Sequence, residues 1–138
     1  MSTRTVWTVG SGIVAGRVRR LLYDHALGTL SGRAPAMQRV QPGDVVVVAC
    51  GGTHARAAAA ALDRDAHVVT VGDGVGDTRS QLALAALARE RGVSLVVGAA
   101  MAPGLAGLLA RYLAGPLDQV DEVHVAIHGT AGPACARA

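Results

Sequence analysis

Phenylalanine and lysine are absent from this 138-residue chain, which holds one Trp, two Tyr and two Cys. With so few aromatic residues to stack on bases, a platform for single-stranded nucleic acid is excluded. All 13 basic residues are Arg, scattered from Arg4 to Arg137, and only Arg17, Arg19 and Arg20 cluster. A solvated helix face explains that cluster. The net charge is only +3 and no basic stripe is visible, so no nucleic-acid partner is expected. Cys50 and Cys135 make no CxxC and no dense pattern, which excludes a disulfide framework and suits a reducing, cytoplasmic setting. No apolar run approaches the ~18 residues of a membrane span, so no membrane partner is expected. The opening Met1-Ser2-Thr3-Arg4 superficially resembles a signal peptide; the glycines that follow and the return of charge at Arg17 fit a first strand better.

What remains is a chain that is 51% hydrophobic, with a core to be built from Val, Leu and Ala. Such residues suit thin helices packed closely on a parallel sheet. The length allows one domain over residues 1–138. Apolar β-branched runs alternate with helical periods, the signature of an α/β fold. Strands are expected at Thr5–Val9, Leu27–Ser31, Asp44–Cys50, His67–Val71, Ser94–Val97 and Glu122–Ile127. The four consecutive valines from Val45 to Val48 are apolar on both faces and belong in the sheet centre. Helices are expected from Ile13 to about Ala26, from Thr53 (as cap) to about Asp63, and from the capping-box spacing at Thr78–Gln81 to Arg91. A fourth, starting at Pro103, carries Leu105, Leu108, Leu109, Tyr112 and Leu113 along one face. Only twelve residues separate Ser31 from Asp44, too few for a helix and a third strand. Ala34–Pro42, with two prolines, reads as a loop or short edge segment. The expected architecture is a doubly wound, mostly parallel, Rossmann-like sheet of five or six strands, shortened after the second.

The first strand runs directly into Gly10-Ser11-Gly12-Ile13-Val14-Ala15, a GxGxxA pattern that opens a helix. Strand, glycine turn and helix start are the order that a dinucleotide pyrophosphate site needs. Gly10 permits a sharp exit from the strand, Gly12 removes the Cβ that would keep backbone from a phosphate, and Ala15 allows helix and strand to meet closely. The helix start offers unpaired N–H groups to an anion. A purely structural strand-to-helix turn would look the same.

From Asp44 onward the chain resembles the nucleotide-binding domain of the saccharopine dehydrogenase-like family, in its bacterial branch of uncharacterised oxidoreductases. The likeness lies in Asp44–Ala49, His67–Asp73, Val97–Gly104, Val120–Val125 and Gly129–Arg137, and with the glycine turn it covers most of the chain except Leu27–Gly43. It implies NAD(P)-linked oxidoreduction of a small amino- or keto-acid substrate, with substrate contacts from a second domain that is not expected within residues 1–138. Non-catalytic dinucleotide binding or sensing is the alternative, and an apolar rim could drive homo-oligomer formation.

In a doubly wound sheet, ligands gather at the carboxyl ends of the strands. Gly10–Val14, Ser31–Arg33, Cys50–His54, Gly72–Asp73 and Ala99–Gly104 all fall there. Arg33 lies 21 residues after Gly12, where an acidic residue would bind the ribose of NAD; an arginine could face the 2′-phosphate of NADP, or be a solvated loop residue. Cys50, Gly51, Gly52 and Thr53 could lie over the nicotinamide side, or form a plain turn. His54 is the best-placed proton donor or orienting group, although a solvent-facing first-turn histidine is the reading its position favours. Asp73 could bond ribose or substrate, or shape a turn before Gly74. Met101–Gly104 could seat a carboxylate or a nicotinamide amide on helix N–H groups. The catalytic residues stay unassigned. His124, His128 and Cys135 lack zinc-ligand spacing, so no metal is expected. Cys50 has no paired base, and no GxSxG elbow is present.

Overall fold

The computed structural model describes residues 4–30, 34–72, 74–102 and 104–128. Five strands form one sheet: β1 (Thr5–Val9), β2 (Ala26–Leu30), β3 (Val45–Val48), β4 (His67–Thr70) and β5 (Leu95–Val96), in spatial order β2-β1-β3-β4-β5. Every pairing is parallel. The helices are α1 (Ile13–Leu21), α2 (Ala34–Met37), α3 (Ala55–Leu62), α4 (Val75–Leu82), α5 (Ala85–Glu90) and α6 (Leu105–Ala114). The path from β1 to β2 runs one way across the sheet, and from β2 onward it runs the other way. Right-handed crossovers therefore put α1 on the opposite face from α3, which makes the sheet doubly wound. The reversal occurs between β1 and β3, and this is the switch point at which a crevice opens.

The core follows strand alternation. Trp7 and Val9 of β1, Val46 and Val48 of β3, and Val68 of β4 share the face that packs on Ala58, Ala61 and Leu62 of α3. Val47, on the other face, is also buried, as a central parallel strand requires. Alanine on the inner side of α3 lets the helix axis lie close to the valines.

One buried carboxylate fastens the amino ends of the strands. Asp44, 5% exposed, accepts from the Thr5 amide (2.9 Å), the Trp7 indole (2.8 Å) and the Gln41 amide (2.9 Å). Burial pushes its pKa up, but the bonds from Gln41, Thr5 and Trp7 outweigh this and leave it below the usual carboxylate value. Since the folded pKa is depressed, this stabilisation is present above the unfolded value near 3.8 and lost as pH falls through the folded one. Asp44→Ala should cost about 3 kcal/mol at neutral pH by leaving three donors unpaired. Urea denaturation at pH 7 and pH 3 checks this: the gap between wild type and Asp44→Ala should shrink at the lower pH.

Several boundaries differ from the sequence expectation. The first helix ends at Leu21 rather than near Ala26, because Ala26 already pairs with Thr5 in the sheet. Ala34–Met37 is a short helix, with Pro35 in its first turn where a missing N–H costs nothing. The helix placed at Thr78–Arg91 starts earlier, at Val75, and is broken at Ala83–Leu84 into α4 and α5. The strand expected at Glu122–Ile127 has no ladder partner, so among the described residues the sheet has five strands.

Candidate functional site

The loop after β1 is pressed into the sheet. Gly10 has φ +123°, a conformation that side-chain-bearing residues avoid, and a Cβ there would collide with the Ala49 carbonyl at the end of β3. Arg19, in the last turn of α1, donates to the Gly10 carbonyl at 3.2 Å and holds the loop down. The sequence pattern alone treats Arg19 as part of a solvated face; its local signal is only that it sits on the helix that follows the loop. Beyond Gly10 the chain is open. Ser11, Gly12, Ile13 and Val14 are exposed, and nothing lies within 4 Å of the position a Gly12 Cβ would take. No side chain caps α1, its first turn has no acidic residue, and the first intrahelical bond is Gly16 N–H to Gly12 C=O (2.9 Å). The amides of Ile13, Val14 and Ala15 therefore have no intrahelical acceptor. That arrangement fits an anion such as a pyrophosphate.

The helix after β3 has a different N-terminus. Its amides are taken by a carboxylate of the protein: Asp77 Oδ1 accepts from the His54 N–H (2.9 Å) and the Ala55 N–H (3.2 Å). Asp77 Oδ2 accepts from Gln81 Nε2 (2.6 Å) and lies 2.7 Å from His54 Nδ1. The Thr70 hydroxyl donates to Gln81 Oε1 and receives the Gly98 amide at 3.4 Å. Thr70, Gln81, Asp77 and His54 thus form a continuous chain from the ends of β4 and β5 to the start of α3. Burial pushes the Asp77 carboxyl up, but the His54 side chain and the Ala55 and His54 amides bring it below the usual carboxylate value. A carboxylate opposite Nδ1 fixes the proton on that nitrogen.

His54 itself is 6% exposed, correcting the expectation of a solvent-facing histidine. The ring lies so close to Gly72 that a Cβ there would strike Nδ1 and Cε1. Its Nε2 is enclosed and without a hydrogen-bond partner among the described residues. Thr53 does not cap α3, since His54 occupies the cap position and Asp77 supplies the acceptor.

Between α2 and α3, Cys50, Gly51, Gly52 and Thr53 line a cleft of about 460 Å³ with Met37, Arg56, Ala57 and Ala60. Arg56 is exposed and pairs with no acidic side chain among the described residues. Burial pushes the Cys50 thiol up, the Asp77 charge adds to this, and its own amide opposes it, so Cys50 is a neutral thiol at neutral pH. At the far end of the rim, the amides of Leu105 and Ala106 are bonded to the Ala100 (2.8 Å) and Met101 (2.9 Å) carbonyls. The first amides of α6 are therefore not offered to a carboxylate, as Met101–Gly104 had suggested.

The structure thus brings Gly10 against Ala49 and Cys50, and leaves Ser11–Val14 exposed beside them. Arg33, Asp73 and Cys135 lie outside the described residues. His124 pairs with Glu122 at 2.8 Å on the exposed surface, and no cluster able to hold a metal occurs among the described residues. Arg19, Arg56, Thr70, Asp77 and Gln81 escape sequence reasoning. Besides the place of Arg19 on the helix after the glycine loop, the usable signal is the i, i+4 spacing of Asp77 and Gln81 on the helix after β4.

No protein-family model and no curated protein matches this chain. None of its described helices is long and apolar enough to cross a membrane. Among solved structures it is similar to the crystal structure of S. aureus homoserine dehydrogenase at pH 7.0, with a TM-score of 0.54 and 16% sequence identity. The match covers 72% of this chain and 33% of that one, so the chain spans about a third of that enzyme's length. At this identity the likeness establishes a shared α/β, Rossmann-like fold.

Proposed function

We propose that this chain is the dinucleotide-binding unit of an NAD(P)-linked oxidoreductase. The observation that carries the proposal is the uncapped, exposed start of α1 at the switch point, beside a Gly10 turn that no other residue could make. The neighbouring start of α3 is already neutralised by Asp77, the start of α4 carries that same carboxylate in its first turn, and the start of α6 is bonded to its own loop, so an anion is directed to Gly10, Ser11, Gly12, Ile13 and Val14. The dehydrogenase found by fold similarity supports the same reading.

The ribose-reading position of such folds lies at the end of β2, so the adenosine half extends to the β2 side of the switch point. The cleft between α2 and α3 takes Met37 from the helix that follows β2. Cys50, Gly51 and Gly52 would then line the adenosine half rather than the nicotinamide half. Arg33, and with it Arg56, would favour NADP over NAD by facing a 2′-phosphate. Asp73 is proposed at the other end of the rim, next to ribose or substrate. The nicotinamide would supply hydride transfer; the chain's own residues bind and orient it and exclude water. The saccharopine dehydrogenase-like family and a small amino- or keto-acid substrate complete the proposal, with substrate contacts from a second domain.

Titration of the purified chain with NADPH and NADH, followed by cofactor fluorescence, tests this. Binding tighter than about 1 mM is expected, with NADPH preferred, and Arg33→Ala should remove the preference. Absence of binding at that level would reduce the likeness to ancestry. A second reading, nucleotide sensing without turnover, is favoured by the enclosure of His54 Nε2, which withholds that acid–base group from the surface. Change in nicotinamide absorbance with amino- and keto-acids separates the two.

A further inference from the structure

α6 is amphipathic, yet none of its residues is buried. Leu105, Leu108 and Tyr112 stand at i, i+3 and i+7 as a ridge, 46%, 67% and 79% exposed. Immediately beside that ridge, Leu109 and Leu113 form one wall of an open apolar cleft of about 490 Å³. The chain after α6 turns back to form the other wall, with Leu117, Val123, Val125 and Ile127, each more than half exposed. A ridge and a groove of matching character therefore lie side by side on one surface.

We infer that this surface binds a second copy of the chain about a twofold axis, the ridge of each copy seated in the cleft of the other. Three features of the surface select that occupant. The patch is self-complementary in shape class, as an isologous contact demands. It is also self-complementary in charge: α6 contributes one cation, Arg111, and the returning segment contributes Asp118, Asp121 and Glu122, none of which pairs with Arg111 within the chain. A twofold axis would bring each Arg111 toward the other copy's acidic segment. Its size is sufficient as well, since the large apolar residues of α6 and residues 117–127 expose roughly 1,000 Å², against the ~800 Å² per partner of a standard interface. Exposed patches beyond a few hundred Å² mark interaction sites.

Because Leu108 and Tyr112 are 67% and 79% exposed in their own chain, substitutions there leave the fold intact and report on association alone. Sedimentation or light scattering from about 1 to 100 µM should give twice the 13.9 kDa chain mass. Leu108→Asp and Tyr112→Asp should each shift the particle to the single-chain mass, with unchanged circular dichroism and melting of the isolated chain. Leu82→Asp, at an exposed position of α4, should leave the dimer in place and so distinguish this surface from general stickiness. A wild-type monomer throughout that range, or a dimer indifferent to both ridge substitutions, would overturn the inference and give the face to a partner of different sequence.

Discussion

Asp77→Ala is expected to lower the unfolding free energy by about 4 kcal/mol at neutral pH, more than Asp44→Ala. One carboxylate there satisfies four donors: the His54 and Ala55 amides, His54 Nδ1 and Gln81 Nε2. Removing it strands the first amides of α3 and leaves His54, already unpaired at Nε2, with no partner at either ring nitrogen. An unmade buried hydrogen bond costs more than a made one contributes, typically ~1–3 kcal/mol per group. Partial solvation of the α3 amides moderates the sum. Asp77→Asn should recover part of the loss, because its carbonyl oxygen still accepts from the two amides, while its NH₂ group opposes the His54 and Gln81 donors.

The pH dependence distinguishes this from a mere packing defect. The folded pKa of Asp77 lies below the ordinary carboxylate value, so its contribution is complete above the unfolded pKa and disappears as pH falls through the folded one. Wild type and Asp77→Ala should converge in stability in acid and diverge above about pH 4. Urea denaturation across that range is the measurement. A difference under about 1 kcal/mol at pH 7 would mean that the four bonds are made by solvent equally well.

Asp77 also marks the limit of what the chain's linear pattern conveys. The α/β alternation was legible because valine runs and alanine-rich helices differ in period, and each strand's character is set by its own residues. β1, β3 and β4 fall within a residue or two of their expected bounds for that reason. The shortened path after β2 was legible from simple chain length. The His54–Asp77 contact joins residues 23 apart through two helix starts, and no local period reports it. A histidine in a helix's first turn has the same local signature whether solvent or a distant carboxylate faces it. The segment Glu122–Ile127 fails for the converse reason. Val123, Val125 and Ile127 alternate correctly, but a strand exists only when an edge is available to pair with, and pairing is a property of the whole fold. The glycine loop was legible as a turn, and Gly10's positive φ explains why glycine is needed there; the close approach of the Ala49 carbonyl, which also excludes a Cβ, is not revealed by residue order alone.

Gly12→Asp should separate the two roles of the α1 start, stabilising the fold while abolishing what we propose it binds. Gly12 is the N-cap, with φ −74° and ψ −177°, extended backbone that any residue adopts, and nothing obstructs a side chain there. An aspartate in that position accepts from the amide two or three residues on and complements the helix dipole, so the melting free energy should rise by about 0.5 kcal/mol. The same carboxylate takes the amides and the positive potential required by a pyrophosphate, and repels its charge across a few ångströms. Affinity for NADPH should fall by about 100-fold, close to 2.7 kcal/mol. Gly12→Ser provides the comparison: it caps without charge and should weaken binding by about 10-fold or less. Because stability and binding are expected to move in opposite directions, loss of affinity could not be ascribed to unfolding. Undiminished NADPH binding by Gly12→Asp, measured beside its melting curve, would remove the start of α1 from the binding site and with it the observation on which the proposed function stands.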